Sequence, residues 1–388
     1  MQNSVTWKQV AAFRLAQHHL SARASTRNLL TVADDMIGAQ AQLFSAAQIS
    51  LWSRVHGLRI KHVEEAINQR TLVKAACMRR TLFLVPAKHL ATFVRGSARR
   101  AEKEIRWARG KGVPDRVIDA AINAALDALD EPLTRPEIAD RVSQSLGVRK
   151  QNVQGGGWGS GREVAAVPVG DLIFPVVYLL HLAGARGVIC YGPNRDNEPT
   201  FVRADTWIPQ WQDLQREEAE GILLHKYLRA FGPATIADFS AWAGISLTEA
   251  REIWVREQAD FATVDVEGWT ATILQDDLDK LTRAKLEHPL IRLLPYFDTF
   301  LLAHKDRQHI VDLQHQPKVF RPQGWIAPVV LVDGRVVAAW KYTQAKSRLL
   351  ITVEKFEPMS RNVIIAIHEE ARDLGRFLQI PDIDIEVG

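Results

Sequence analysis

One stretch limits the fold more than any other. From Gly221 the chain reads GILLHKYLRAFGPATIADFSAWAGISLTEAREIW. A periodic apolar helix ends near Gly232-Pro233, because proline lacks the donor a continuing helix needs. Ile236 to Ala243 predicts a short helix, Gly244 stops it, and Ser246-x-x-Glu249 is a capping box that opens the next one. The run FATVDVEGWTATIL that follows alternates and turns at Glu267-Gly268, which predicts a β-hairpin. Helix, short helix, tight turn, helix and hairpin is the layout of a winged helix.

A second copy is legible upstream. RVIDAAINAALDALDEPLTRPEIADRVSQSLG gives a helix, a break with proline, a Thr134-x-x-Glu137 capping box and a short helix. Both copies carry Ile-Ala-Asp, at 138 to 140 and 236 to 238, a weak internal repeat. GVICYGPNRDNEPTFVRADTW, with turn residues Pro193 to Glu198, supplies a wing for this copy. Thr6-x-x-Gln9 opens an N-terminal helix and allows a third helical unit. GGGWGSG lacks the Gly-Lys-Ser/Thr ending of a phosphate loop, so a plain loop is expected there. From Leu290 the pattern turns apolar and strand-like, through LIRLLPYFDTFLLAHKDR, WIAPVVLVDGRVVAAWKY and RLLITVEKF. Asp333-Gly334 is a hairpin turn, Ser360 caps a helix, and DIDIEV is a last strand. The expectation is an α+β chain divided at 1–112, 113–215, 216–280 and 281–388, the last segment β-rich with one helix.

Composition excludes several classes. No apolar window is long enough to span a membrane, and the N-terminus lacks the order of a secretory signal. Two cysteines, Cys77 and Cys190, give no disulfide framework and no cysteine zinc site, which suits a reducing, cytoplasmic setting. His18-His19 lacks metal-ligand spacing, no serine sits in a nucleophile elbow, and no lysine stands out as a Schiff-base former. No cofactor or metal is expected. Net charge is only +4, but residues 70–116 hold thirteen Lys/Arg against three acids. Such a run either solvates a helical face or collects polyanions. Arg79, Arg80 and Thr81 inside it either hold phosphates or simply solvate the surface.

In MIGAQAQLFSAAQISLWSRV, Gln40 and Gln42 sit two apart next to apolar residues, just after Gly38. On a helix, residues i and i+2 point about 200° apart. Both amides can face one point only on an irregular backbone or at a helix end, which Gly38 permits. The alternative has one glutamine in solvent and the other satisfying a buried backbone group.

Taken together and in order, Gly-Ala-Gln-Ala-Gln at 38 to 42, MRRTLFLVPAKHL at 78 to 90, RLLPYFDTFLLAHKDR at 292 to 307 and VLVDGRVVAAWKY resemble the AlkZ/YcaQ family of bacterial winged-helix DNA glycosylases. The resemblance implies tandem winged helices arranged in a C shape around a β-rich C-terminal domain. It implies excision of N7-alkylated purines, in some members with unhooking of interstrand crosslinks. It makes Gln40 and Gln42, a Gln-apolar-Gln signature, the catalytic pair. It places His304, Asp306 and Arg307 on a DNA-contacting hairpin, although Asp306 and Arg307 also suit a plain ion pair. This chain departs from the family in carrying Phe83 where many members have Thr-Leu-His. The expected partner is double-stranded DNA bearing alkylated purines, taken by a monomer with no membrane role. The competing readings are a non-catalytic transcriptional regulator and a protein-interaction module, both common uses of winged helices.

Overall fold

A computed structural model describes residues 3–155, 162–186, 188–195, 198–345 and 347–388; the side chains of residues 100, 101, 104, 185 and 186 are outside this description. The fold is mixed α and β. It forms two compact units, one of Met1–Leu72, Thr81–Pro86 and Gly221–Gly388, the other of Val73–Arg80 and Ala87–Glu220.

The first unit centres on a five-stranded sheet ordered Ile291–Leu294, Val329–Val332, Arg335–Ala345, Arg348–Lys355, Asp382–Val387. Its pairs are antiparallel except the last, which is parallel and is reached through the helix Arg361–Leu378. Asp333 and Gly334 both take left-handed φ, 50° and 87°, as a two-residue primed turn requires. Ser360 accepts from Val363 N–H and caps the helix as expected. Ile367, Ala371, Leu374 and Phe377 lie on one helix face and enter the same cluster as Leu293, Trp340 and Val353. Val32, Met36, Ile49, Leu51 and Trp52 from the N-terminal segment belong to that cluster too. Residues far apart in sequence therefore build one core.

The Gly221 stretch folds as its caps dictate. Helices cover Arg216–Phe231, Ile236–Ala243 and Leu247–Glu257, followed by strands Phe261–Val266 and Trp269–Leu274. Ser246 Oγ accepts from Glu249 N–H at 3.2 Å while the Glu249 carboxylate accepts from Ser246 N–H at 2.8 Å. Thr235 and Asp238 form the same box. A strand at Asn3–Val5, absent from the sequence reading, runs parallel to Phe261–Val266. The Thr6–Gln9 box then opens the helix Trp7–Gln17.

In the second unit, Thr134 and Glu137 cap the helix Arg135–Leu146. The two Ile-Ala-Asp triplets are not equivalent: Asp238 is itself the third helical residue of its capping box, whereas Glu137 fills that place in the first copy. The triplet is thus shifted by one turn and carries no repeat. Strands Gln151–Gln154, Glu163–Val169 and Leu172–Pro175 form an antiparallel sheet directly after this helix. Of the glycine-rich loop, residues 156–161 lie outside the described residues. The expected wing forms a separate two-stranded pair, Ile189–Tyr191 with Phe201–Arg203, and residues 196 and 197 of its turn are outside the description.

One strand expectation fails. After Ile291–Leu294 the apolar run to 307 leaves the sheet, with a short helical turn at Thr299–Leu301 and then loop. Its side chains are apolar because they fill a second cluster, with Phe297, Phe300 and Leu301 all buried.

Candidate active site

The glutamine segment follows the helix Leu29–Asp35. Ile37 and Gly38 both take left-handed φ, 57° and 77°, and swing the chain into the strand Ala39–Gln40. Gly38 has no substitute: a Cβ there would lie 2.6 Å from Val85 Cγ1. The strand pairs antiparallel with Leu82–Pro86, Ala39 opposite Leu84 and Gln40 opposite Phe83. Ala41 N–H extends the ladder by donating to Leu82 C=O at 2.6 Å. The backbone is therefore extended through Ala41, and Gln42 begins the bend before the helix Phe44–Trp52. Extended chain places alternate residues on one face. Gln40 closes the strand and Gln42 stands in the bend beyond Ala41, so the helical separation of about 200° does not apply to the pair.

Gln40 is 6 % exposed, and its Oε1 accepts no hydrogen bond among the described residues. Leaving a buried acceptor unanswered costs on the order of 1–3 kcal/mol. Gln42 is half-buried, so the pair lies where a core meets solvent. Phe83, 1 % exposed, is the nearest cross-strand neighbour of Gln40. The alternative in which Gln40 satisfies a backbone group through its carbonyl oxygen is not what the chain does.

The helix after Gln42 is pinned by a pair that sequence reading missed in part. Asp298, which its FDTF setting marks as a structural residue, accepts from Arg54 Nη2 at 2.7 Å, Arg54 Nη1 at 2.8 Å and Ser50 Oγ at 2.7 Å. The charged side chains are fully buried. Burial alone would push the Asp298 carboxyl up, but the Arg54 charge and the donors of Arg54, Ser50 and Phe300 N–H hold it below the ordinary carboxylate range. Arg54 lies 244 residues away in sequence, and nothing local announces it.

Arg79 and Arg80 belong to the second unit and Thr81 to the first. All three are half-buried. Arg79 and Arg80 both adopt left-handed φ, 54° and 59°, a conformation rare for side chains of this size. Such strained pairs concentrate at ligand clamps.

Residues 304–307 form a loop and not a hairpin. His304 is 3 % exposed, and its Nε2 lies 3.1 Å from Phe231 C=O, in donating position. Burial, then the charge of Arg14, holds the ring well below the usual imidazole range, so it is neutral at pH 7. The side chain expected to touch DNA is thus turned into the unit. Asp306 and Arg307 make no ion pair with each other; Asp306 Oδ1 accepts from Gln308 N–H at 2.9 Å and closes the turn. Arg307 Nε donates to His304 C=O at 3.2 Å, and its guanidinium lies 4.1 Å from the Phe320 ring centre. Lys305 N–H donates to the capping Asp238 at 2.9 Å, which ties the loop to the short helix Ile236–Ala243. The loop borders a cavity of about 870 Å³ lined also by Trp7, Trp269, His309 and Arg335. Trp7 is stacked between Trp269 at 5.2 Å and His309 at 4.8 Å. Sequence reading found none of these aromatics, which converge from three distant segments.

The basic run is partly neutralised. Arg95 pairs with Asp213 at 2.7 Å, Arg99 with Glu220 at 2.6 Å and Arg109 with Asp115 at 2.5 Å. Lys103, Arg106, Trp107 and Lys111 remain exposed on or just beyond the helix Arg99–Gly110.

Similarity to known proteins extends along most of the chain. The profile of the family described as DNA glycosylase AlkZ-like matches residues 33–377. An interstrand DNA cross-link repair glycosylase of Streptomyces sahachiroi is 29% identical over 391 residues, covering 98% of this chain and 99% of that protein. The solved structure of Streptomyces sahachiroi DNA glycosylase AlkZ superposes with a TM-score of 0.81 at 27% identity, over 99% of this chain and 100% of the other.

Proposed function

Because this chain belongs to the AlkZ-like family of DNA glycosylases, we propose that it hydrolyses the N-glycosidic bond of cationic N7-alkylguanine-type adducts in double-stranded DNA, interstrand crosslinks among them. Alkylation at N7 makes the base a cation, so it leaves as a neutral purine with the bonding electron pair and needs no proton from an acid. The remaining work is to stabilise the sugar as it becomes oxocarbenium-like and to place water on its open face. Gln40 and Gln42 hold that water between them. The Gln40 Oε1 accepts one of its hydrogens, the water oxygen bonds to C1′ of the sugar, and the water's proton passes to solvent. A neutral amide suffices because the bond is already weak, and the carboxylate pair of ordinary sugar hydrolases is not required. The mechanism is hydrolytic and monofunctional.

One observation carries this reading: a buried Gln40 amide oxygen with no donor among the described residues, two positions before a half-buried Gln42. The element series from Arg216–Phe231 to Trp269–Leu274 is read as a winged helix, and Arg135–Leu146 with its sheet as another, nested in the two units. Arg79, Arg80, Thr81, Asp306 and Arg307 are read as groups that hold the duplex, with His304 shaping the loop from within. The test is release of base from N7-methylguanine DNA, scored as abasic sites, against a Gln40→Ala, Gln42→Ala double variant. Equal release by both proteins removes the assignment. Tight, sequence-specific binding without release would restore the regulator reading.

A further inference from the structure

In the second unit, Tyr191 and Phe201 face each other across the pair Ile189–Tyr191 and Phe201–Arg203, ring centres 4.6 Å apart. Two cations lie on these rings. Lys74 Nζ is 4.8 Å from the Tyr191 ring centre, and the Arg135 guanidinium is 5.5 Å from that of Phe201. Arg135 is also the first residue of its helix, where unpaired N–H groups already carry partial positive charge and acids are the favoured occupants. His181 is close enough to feel the charges of both Arg80 and Arg135, and burial first, then those charges, push its ring down to about 4. Burial, then Arg135, lowers Lys74 as well. Among the described residues, no carboxylate contributes to the shift of either Lys74 or His181. The acid on the same helix end, Glu137, is occupied by Thr134 N–H at 2.8 Å and Arg195 at 2.5 Å. Arg135 Nε and His181 Nδ1 are buried without a hydrogen-bond partner among the described residues. Lys74, Arg80, Arg135 and His181 are all half-buried, so the cluster keeps access to solvent.

Like charges gathered at a helix N-terminus repel unless an anion answers them. We infer that Lys74, Arg135 and His181 form a phosphate site, occupied by a backbone phosphate of the bound DNA strand. The donors suit a tetrahedral anion: a forked guanidinium, a rotatable ammonium and an imidazole N–H. A strand phosphate is favoured over free phosphate because the same unit exposes Lys103, Arg106, Trp107 and Lys111, cations with an aromatic among them. The inference rests on the chain's action on DNA but not on the glutamine chemistry.

The test uses the full chain and an undamaged duplex, on which no excision occurs. Affinity is measured by fluorescence anisotropy across a salt series for the parent, Lys74→Gln, Arg135→Gln and Arg135→Lys. Each Gln variant is expected to flatten the slope of log K against log salt by about one, while Arg135→Lys retains it. Thermal melting of each variant confirms that it is folded. A second arm titrates inorganic phosphate into protein labelled with ¹⁵N-histidine. If free phosphate is the ligand, His181 ring signals shift in the parent and stay fixed in Arg135→Gln, with DNA slopes unchanged. Unchanged slopes together with a silent His181 in folded protein overturn the site. Base release from N7-methylguanine DNA, run in parallel, reports on the glutamines alone, so the two readings fail separately.

Discussion

Gln40 and Phe83 stand directly opposite one another across an antiparallel pair. The adjacent ladder bond from Ala41 N–H to Leu82 C=O makes theirs the non-hydrogen-bonded kind of pair, in which side chains come closest. The neighbour of the amide is thus an apolar ring that can neither donate nor titrate. The histidine that the family resemblance leads one to expect here would bring an ionisable group where this chain has none. Phe83→His is expected to add an ionising limb to the rate of base release from N7-methylguanine DNA, displaced below the ordinary imidazole range because the position is buried. Superimposable pH profiles for the two proteins would show that position 83 does not reach the reaction.

Removing either amide should strike catalysis and spare binding. Gln40→Ala and Gln42→Ala are each expected to slow single-turnover base release by about 10²–10³-fold, the scale of one preplaced polar group. The double variant should lose far less than the product of the two, since both act on one water. Gln40→Met offers a sharper separation. It removes a buried acceptor that no described donor satisfies, so unfolding stability should hold or rise by about 1 kcal/mol while release collapses. A large drop in melting temperature would assign Gln40 to the core instead.

Gly38 is tested by adding one carbon. Gly38→Ala combines a left-handed φ of 77° with a 2.6 Å approach to Val85 Cγ1. Strain and overpacking together should cost about 2–4 kcal/mol in urea unfolding. Val85→Ala in the same chain should relieve the contact but not the backbone term. Full additivity of the two changes would mean that they do not meet.

The Arg54–Asp298 pair makes an acid-sensitive contribution. Its carboxyl titrates below the ordinary range in the folded chain, so unfolded protein takes up protons first as pH falls. The stabilisation is therefore whole above the unfolded value of about 4 and drains away as pH drops through the lower folded value. Asp298→Ala should cost about 3–5 kcal/mol at pH 7, because it strands a buried guanidinium. Stability measured from pH 7 to pH 2 should fall less steeply in the variant; parallel curves would locate the acid response elsewhere.

What the sequence disclosed, and what it hid, follows the range of the interactions. Capping at Thr6, Thr134, Ser246 and Ser360 is settled within four residues, and each helix starts where its cap stands. The turn at Asp333-Gly334 is equally local. The glutamine strand is only two residues long, and its existence depends on a partner more than forty residues on, so helical spacing misdescribes it. Apolar content misled at 295–307, since filling a core beneath a loop and lining a sheet ask for the same side chains. The basic run was legible as charge, but the carboxylates of Asp213 and Glu220 that answer it lie about a hundred residues away.

The cluster that joins Met36, Leu51 and Trp52 to Trp340, Val353 and Phe377 has a consequence for synthesis. A ribosome delivers the glutamines early and the sheet beneath them last. Until the closing helix emerges, Met36, Leu51 and Trp52 lack the apolar partners that cover them, so the N-terminal segment reaches its final packing only after Phe377 has left the ribosome.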